Sequence, residues 1–266
     1  MTRALLVAAI FFTMTPLLIA LQWLLVKLGL PGWGVLAVNY YRALCTVLRI
    51  RVRVVGEPVR DRAVLFISNH VSWADIVVIG SIAPVAYVSK SEIAGWPLVG
   101  TAAKSQRTVF VDRSRRHQTG DAIAEIVKRL ASGTSVVLFA EGTSSDGNRV
   151  LPFRSALIGA VKEASSRAEH GILIQPMSIC YTGLNGIPMG RQHRPTVAWY
   201  GDLDFMPHIK AFIERGAIDA VVSYGDPVAA DGTVDRKAMT KSLEGAVRKI
   251  TAATLRGRSH PAPVAS

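Results

Sequence analysis

Between Ala4 and Val26 lie 23 consecutive residues without a charge, and no other stretch restricts the chain as much. About 20 helical residues cross the hydrocarbon core of a bilayer, so this run is long enough to do so. A cleaved export signal calls for a shorter apolar core and a small-x-small site near its end. Leu21-Gln22-Trp23-Leu24-Leu25 offers none. Two readings stay open: a single transmembrane helix, despite Thr13, Thr15, Pro16 and Gln22, or a helical hairpin dipping into one leaflet. The hairpin is suggested by Pro31-Gly32-Trp33-Gly34, which breaks the chain, and by the largely apolar stretch from Val35 to Leu48. Trp23, Trp33, Tyr40 and Tyr41 suit the headgroup level. From Lys27 to Arg60 there are six basic residues against one acid, Glu57, which places this flank on the cytoplasmic side facing anionic lipid. The expectation is a membrane-anchoring helical segment over residues 1–49, on the inner (cytoplasmic) membrane, with the remaining chain in the cytoplasm.

Half of the 266 residues are hydrophobic and the net charge is +12. With a pI near 10.2 and a mean hydropathy of +0.29, the chain needs an anionic partner. Basic residues are not interleaved with aromatics on a polar stretch, and no nucleic-acid motif appears. That argues for anionic membrane lipid and against nucleic acid. Cys45 and Cys180 sit in apolar runs without metal spacing and read as buried thiols of a reducing compartment. No Cys/His cluster, phosphate-binding loop or dinucleotide fingerprint is present, so neither a metal nor a bound redox cofactor is expected.

From Arg51 onward strand and helix signals alternate. Strands are expected at Arg51–Val55, Ala63–Ser68, Ala86–Ser89, Thr108–Val111, Ser135–Ala140, Ile172–Tyr181, Thr196–Tyr200 and Ala217–Tyr224. Helices are expected at Trp73–Ile82, His117–Ala131, 155–167, Pro207–Arg215 and Arg236–Leu255. Alternation of this kind specifies an α/β domain over residues 50–255, with a largely parallel sheet flanked by helices and sites at the carboxyl ends of the strands. Residues 256–266, with two prolines and small side chains, read as a loose tail.

Ser68-Asn69-His70-Val71-Ser72-Trp73-Ala74-Asp75 joins the apolar strand ending at Ile67 to the helix that follows. Ser72 and Asp75 have capping-box spacing, with Ser72 expected at the N-cap. His70 then lies in the strand-to-helix turn, where its imidazole can meet the Asp75 carboxylate. On one continuous helix, five residues would splay the two side chains by roughly 140°. A histidine oriented by a carboxylate is suited to act as general base on a hydroxyl or thiol.

Asn69-His70-x4-Asp75, followed about 70 residues later by Phe139-Ala140-Glu141-Gly142-Thr143, resembles the two best-known blocks of the glycerolipid acyltransferases. This is the lysophospholipid acyltransferase family that includes 1-acylglycerol-3-phosphate acyltransferase. Three further stretches are similar to it: Lys90-Ser91-Glu92 with the Trp96-Pro97 segment, the strand end Val109-Phe110-Val111-Asp112-Arg113, and Ile172–Ile179 interrupted by Pro176. The resemblance implies His70 and Asp75 as catalytic residues. It also implies that Arg113, Lys90 and the Glu141-Gly142-Thr143 turn contact the acceptor, Arg113 through the bidentate fit of a guanidinium to phosphate. Exposed amides at Gly142 would suit a phosphate or a developing oxyanion. Pro176 in a strand implies an edge or a bulge.

One departure bears on the acceptor. The most familiar form of the second block carries Arg after Gly-Thr, whereas this chain carries Ser144. Arg149 and Arg154 could replace that charge, or the acceptor differs, since bacterial relatives that acylate lyso-ornithine lipid resemble this Ser-rich variant. The implied reaction is direct transfer of an acyl group from an acyl carrier protein or coenzyme A thioester to a lysolipid hydroxyl. The foremost expected acceptor is 1-acyl-sn-glycerol-3-phosphate, giving phosphatidic acid in phospholipid biosynthesis, and lyso-ornithine lipid is the alternative. A thioesterase using His70 on water and a non-catalytic binder of anionic lipid are the rivals from other classes.

Overall fold

The apolar runs form strands because they are buried on both faces. In β2 (Val64–Ser68) all five residues are buried, as befits the interior of a parallel sheet covered by helices on both sides. The computed structural model describes residues 3–28, 30, 32–111, 116–156, 158, 172–230 and 235–258. The other strands there are β1 (Ile50–Val55), β3 (Val85–Lys90), β4 (Val109–Val111), β5 (Ser135–Phe139), β6 (Leu173–Leu184), β7 (Ile187–Pro188), β8 (Ile218–Tyr224) and β9 (Val228–Ala229). They form one sheet of order β1-β8-β6-β2-β5-β3-β4, with β7 and β9 pairing to β6. The β1–β8, β2–β5, β2–β6, β3–β4 and β3–β5 ladders are parallel, and the three other β6 ladders are antiparallel.

The helices are α1 (Arg3–Lys27), α2 (Trp33–Leu48), α3 (Ala74–Gly80), α4 (Val99–Ser105), α5 (Arg116–Ala131), α6 (Phe205–Glu214) and α7 (Arg236–Leu255). The period of two in β2 sends Val64 and Phe66 into one core and Leu65 and Ile67 into the other. The first core is closed by α2, α3 and α6, and the second by α5 and α7. Gly80 allows α3 to lie on α2, because a Cβ there would stand 2.4 Å from the Tyr41 ring.

Helix α1 is long and apolar enough to cross a membrane over Ala4–Leu25. It is also docked on the domain. Val7, Thr15, Leu18 and Gln22 are buried along one stripe, whereas Leu5, Leu6, Phe12, Met14, Leu17, Leu21, Trp23 and Leu24 are exposed. Two polar contacts hold the docked face: Thr15 Oγ1 to the Tyr40 hydroxyl at 2.6 Å, and Gln106 Nε2 donating to Gln22 Oε1 at 3.2 Å. Of the four aromatics assigned to the headgroup level, only Trp23 is largely exposed. Tyr41 is buried, Tyr40 is tied to Thr15, and Trp33 lies beneath the Arg107 guanidinium.

Three expectations need correction, and one helix was not foreseen. Thr196–Tyr200 is not a strand: a 3-10 turn at Arg194–Thr196 leads into a crossing segment whose Trp199 N donates to Val71 O at 2.9 Å. Helix α4 was not expected from the pattern, because Trp96-Pro97 masks its start. Pro176 lies at neither an edge nor a bulge but inside the sheet, where the β8 ladder has ended and β9 begins. Its carbonyl accepts from Gly225 N at 2.8 Å. Gly225 O, which an N–H at 176 would have served, accepts from Gln175 Nε2 at 2.8 Å instead. Ser72 is not the N-cap of α3; Trp73 is, and the Ser72 hydroxyl has no hydrogen-bond partner among the described residues. The helix expected at 155–167 falls mostly outside the described residues.

Candidate active site

Asn69 sets the position of the turn. Its Nδ2 donates to Ile179 O and its Oδ1 accepts from Ile179 N, both at 2.9 Å, so a buried side chain continues the β2–β6 pairing one step past the last strand residue. The next residue, His70, is thereby placed at the carboxyl edge of the sheet. Its ring stacks on Phe139, with centroids 4.1 Å apart and planes 16° from parallel, and the side chain is 21 % exposed.

Asp75, in the first turn of α3, is completely buried. Its Oδ2 accepts from Val71 N at 2.7 Å and from Ser72 N at 3.1 Å, two amides of the turn that leads into the helix. The same oxygen lies 2.7 Å from His70 Nδ1. Oδ1 accepts from the Tyr181 hydroxyl at 2.8 Å. Backbone amides can only donate, so Oδ2 is held as an acceptor and the hydrogen between it and His70 belongs on Nδ1. His70 Nε2 is left with its lone pair directed away from Asp75. A buried carboxylate is tolerable only when its lone pairs are satisfied, and four donors do this here.

The Glu141 turn embraces the backbone of His70 from both sides. Glu141 Oε2 accepts from His70 N at 3.4 Å, and Ser145 N donates to His70 O at 2.8 Å. Glu141 Oε1 accepts from Leu151 N at 3.1 Å. Burial pushes the Glu141 carboxyl up to about 8, against the lowering effect of those two amides and with a further push from the Asp75 charge. Gly142 adopts φ +73°, and its N–H donates to Phe139 O at 3.2 Å, inside the turn. The expectation of an exposed anion-binding amide at Gly142 therefore gives way to a turn-closing one. Thr143 is exposed, and the Ser144 hydroxyl donates to the Trp199 carbonyl.

His70, Asp75 and Glu141 are thus brought together by direct contacts, and Gly142 follows Glu141 in the same turn. Lys90 ends β3 and is exposed, as are Arg149 and Arg154 on the loop after the turn. Among the described residues no ion pair joins these three side chains to the cluster. Arg113 lies outside the described residues. Among those described, no group of three His, Cys, Asp or Glu side chains could hold a metal. Cys45 and Cys180 are free and buried, as expected. Tyr181, Phe139 and the task of Asn69 were missed. Tyr181 carries no local signal, because it meets Asp75 only through strand pairing 106 residues away.

The elements so arranged define an acyl-transfer protein: residues 51–180 match the family model Acyltransferase. The chain belongs to the acyltransferase family and is an O-acyltransferase of the lysolipid type. It is 42 % identical over 261 residues to the lyso-ornithine lipid O-acyltransferase of Brucella abortus, covering 97 % of each chain. It is 26 % identical to the 1-acyl-sn-glycerol-3-phosphate acyltransferase of Neisseria gonorrhoeae over 74 % of each chain. The crystal structure of the 1-acyl-sn-glycerophosphate acyltransferase of Thermotoga maritima superimposes with a TM-score of 0.65. That match, at 21 % identity, spans 95 % of this chain and 98 % of that one, and it establishes the shared fold.

Proposed function

We propose that this protein transfers a fatty acyl group from an acyl thioester to the free hydroxyl of lyso-ornithine lipid. This reverses the order of the two acceptors expected from the sequence. The observation that carries the reversal is Ser144. Where the familiar pattern has an arginine for a phosphate, this chain has a hydroxyl engaged with the Trp199 carbonyl, so the position clasps two loops and brings no cation. The similarity to the Brucella protein over 97 % of both chains supports the same choice.

In the proposed mechanism the acceptor hydroxyl donates to His70 Nε2. His70 takes its proton as the oxygen attacks the thioester carbonyl, the thiolate leaves, and Asp75 stabilises the imidazolium while fixing its tautomer. Thioesters are already activated, so positioning plus general-base assistance suffices without a nucleophilic serine or cysteine. Glu141 acts by holding the His70 backbone and Gly142 by closing the turn that carries it, while Thr143 and the exposed Arg149 and Arg154 face the acceptor headgroup. The reaction requires no bound cofactor. The exposed apolar face of α1 lies in one leaflet of the inner membrane, with the sheet on the cytoplasmic side.

The test offers purified protein a labelled acyl thioester with lysophosphatidic acid and lyso-ornithine lipid in competition, and reads the products by mass spectrometry. Acylated ornithine lipid should dominate. Phosphatidic acid as the main product would return the acceptor to the glycerophosphate class. Thioester consumption independent of either acceptor would mark a thioesterase.

A further inference from the structure

Helix α7 carries Arg236, Lys237, Lys241, Arg248 and Lys249 against one acid, Glu244. Its apolar side, with Met239, Leu243 and Val247, is buried on the sheet; all five cations are exposed, and Lys237, Lys241, Arg248 and Lys249 lie on the side turned away from it. Lys237, Lys241 and Arg248 follow one another at helical spacing along that side. Glu244 is not a free countercharge. Its Oε2 accepts from Phe153 N at 2.8 Å and its Oε1 pairs with Arg248 at 2.9 Å. This clasp fastens α7 to the loop that begins at Glu141 and carries exposed Arg149 and Arg154, so both sets of cations border the loop that grips His70.

The location of the stripe narrows its partner. Helix α7 closes the core on one face of the sheet, whereas α2 and α3 close the other, with Val7 of the apolar helix α1 among them. A bilayer that covers the exposed side of α1 therefore lies across the sheet from the α7 cations. From Lys237 to Lys249 the helix extends about 18 Å, the footprint of a protein surface and far longer than one phosphate cluster.

We propose that the α7 stripe docks a soluble acidic protein that carries the acyl thioester, delivering it beside the Glu141 loop. The inference rests on the acyl-transfer reading above. Complementary charge of this kind steers encounter and sets its salt dependence.

The experiment uses the full chain in phosphatidylcholine nanodiscs and the double variant Lys241→Glu/Lys249→Glu, which leaves the Glu244–Arg248 clasp in place. Two donors with the same chain are compared, palmitoyl-acyl carrier protein and palmitoyl-coenzyme A. The variant should raise KM for the protein-borne donor about tenfold and flatten its dependence on salt. KM for the coenzyme A donor should stay unchanged. An unchanged KM for the protein donor, or an equal rise for both donors, overturns the proposal. So does weakened binding of the variant to phosphatidylglycerol vesicles, which would put the stripe against the membrane. Wild-type protein that consumes neither donor would overturn the acyl-transfer reading and this inference with it, a result recognised by failure of both donors before any substitution.

Discussion

The Tyr181 hydroxyl, from the middle of β6, donates to Asp75 Oδ1 at 2.8 Å, while the other carboxylate oxygen faces His70. Burial, reinforced by the Asp75 charge, raises the Tyr181 phenol well above its ordinary value, so the residue remains a donor at working pH. The carboxylate is thus held at both ends, by the imidazole it orients and by a strand of the central sheet. Tyr181→Phe should leave a buried lone pair unmet and lower stability by about 1–3 kcal/mol. It should also reduce transfer without abolishing it, because Val71 N and Ser72 N still fix Oδ2. Chemical unfolding and initial rates measure the two effects, and a variant equal to wild type in both would remove Tyr181 from the site.

His70→Ala tests the base directly. The ring is partly exposed and its loss opens little of the core, so the variant should fold and bind membranes normally. Transfer should drop by about 10²–10⁴, the range for a general base. Near-normal turnover would show that another group accepts the proton.

Glu141 imposes a pH dependence on stability. Its folded-state pKa of about 8 lies above the ordinary 4.5, so an unfolded chain gives up this proton first as pH rises. The stability associated with the protonated carboxyl is complete below pH 4.5 and is lost progressively as pH rises toward 8. Glu141→Gln keeps a neutral group in the same place and should flatten the fall in melting temperature across that window. Parallel curves for the two proteins would mean that Glu141 is ionised throughout.

Asn69→Ala removes both hydrogen bonds to Ile179 and leaves a buried N–H and C=O unpaired. A loss of about 2–5 kcal/mol is expected, with transfer reduced because His70 is no longer held at the sheet edge. Denaturant midpoints read the first quantity, and turnover of the folded fraction reads the second.

Ser144→Arg restores the cation of the familiar pattern and breaks the clasp to Trp199. Relative turnover should shift from lyso-ornithine lipid toward lysophosphatidic acid, since a guanidinium binds a phosphomonoester bidentately. Competition assays with both acceptors measure the ratio, and an unmoved ratio would place acceptor choice elsewhere.

Much of this molecule follows from local pattern. Runs such as Val64–Ile67 are apolar on both sides of the pleat and belong inside a parallel sheet. The stretch Asn69–Asp75 places a histidine and a carboxylate in a strand-to-helix turn, and their pairing follows from that turn alone. The 23 uncharged residues of α1 announce a helix long and apolar enough to cross a membrane.

Other features depend on contacts between segments distant in sequence. Pro176 reads locally as an edge signal, yet it lies inside the sheet because Gln175 and Gly225 meet only when β6 and β8 pair. Glu141 reads as a group for the acceptor, but its oxygens meet the amides of His70 and Leu151 once β2 and β5 lie side by side. Tyr181 reaches Asp75, and Asn69 reaches Ile179, across 106 and 110 residues. Spacing along a chain encodes local periodicity, so sequence by itself determined most of the strands, the long apolar helix and the histidine–carboxylate pair. Which lone pairs those groups satisfy was decided only when burial forced each polar atom to find a partner from another element.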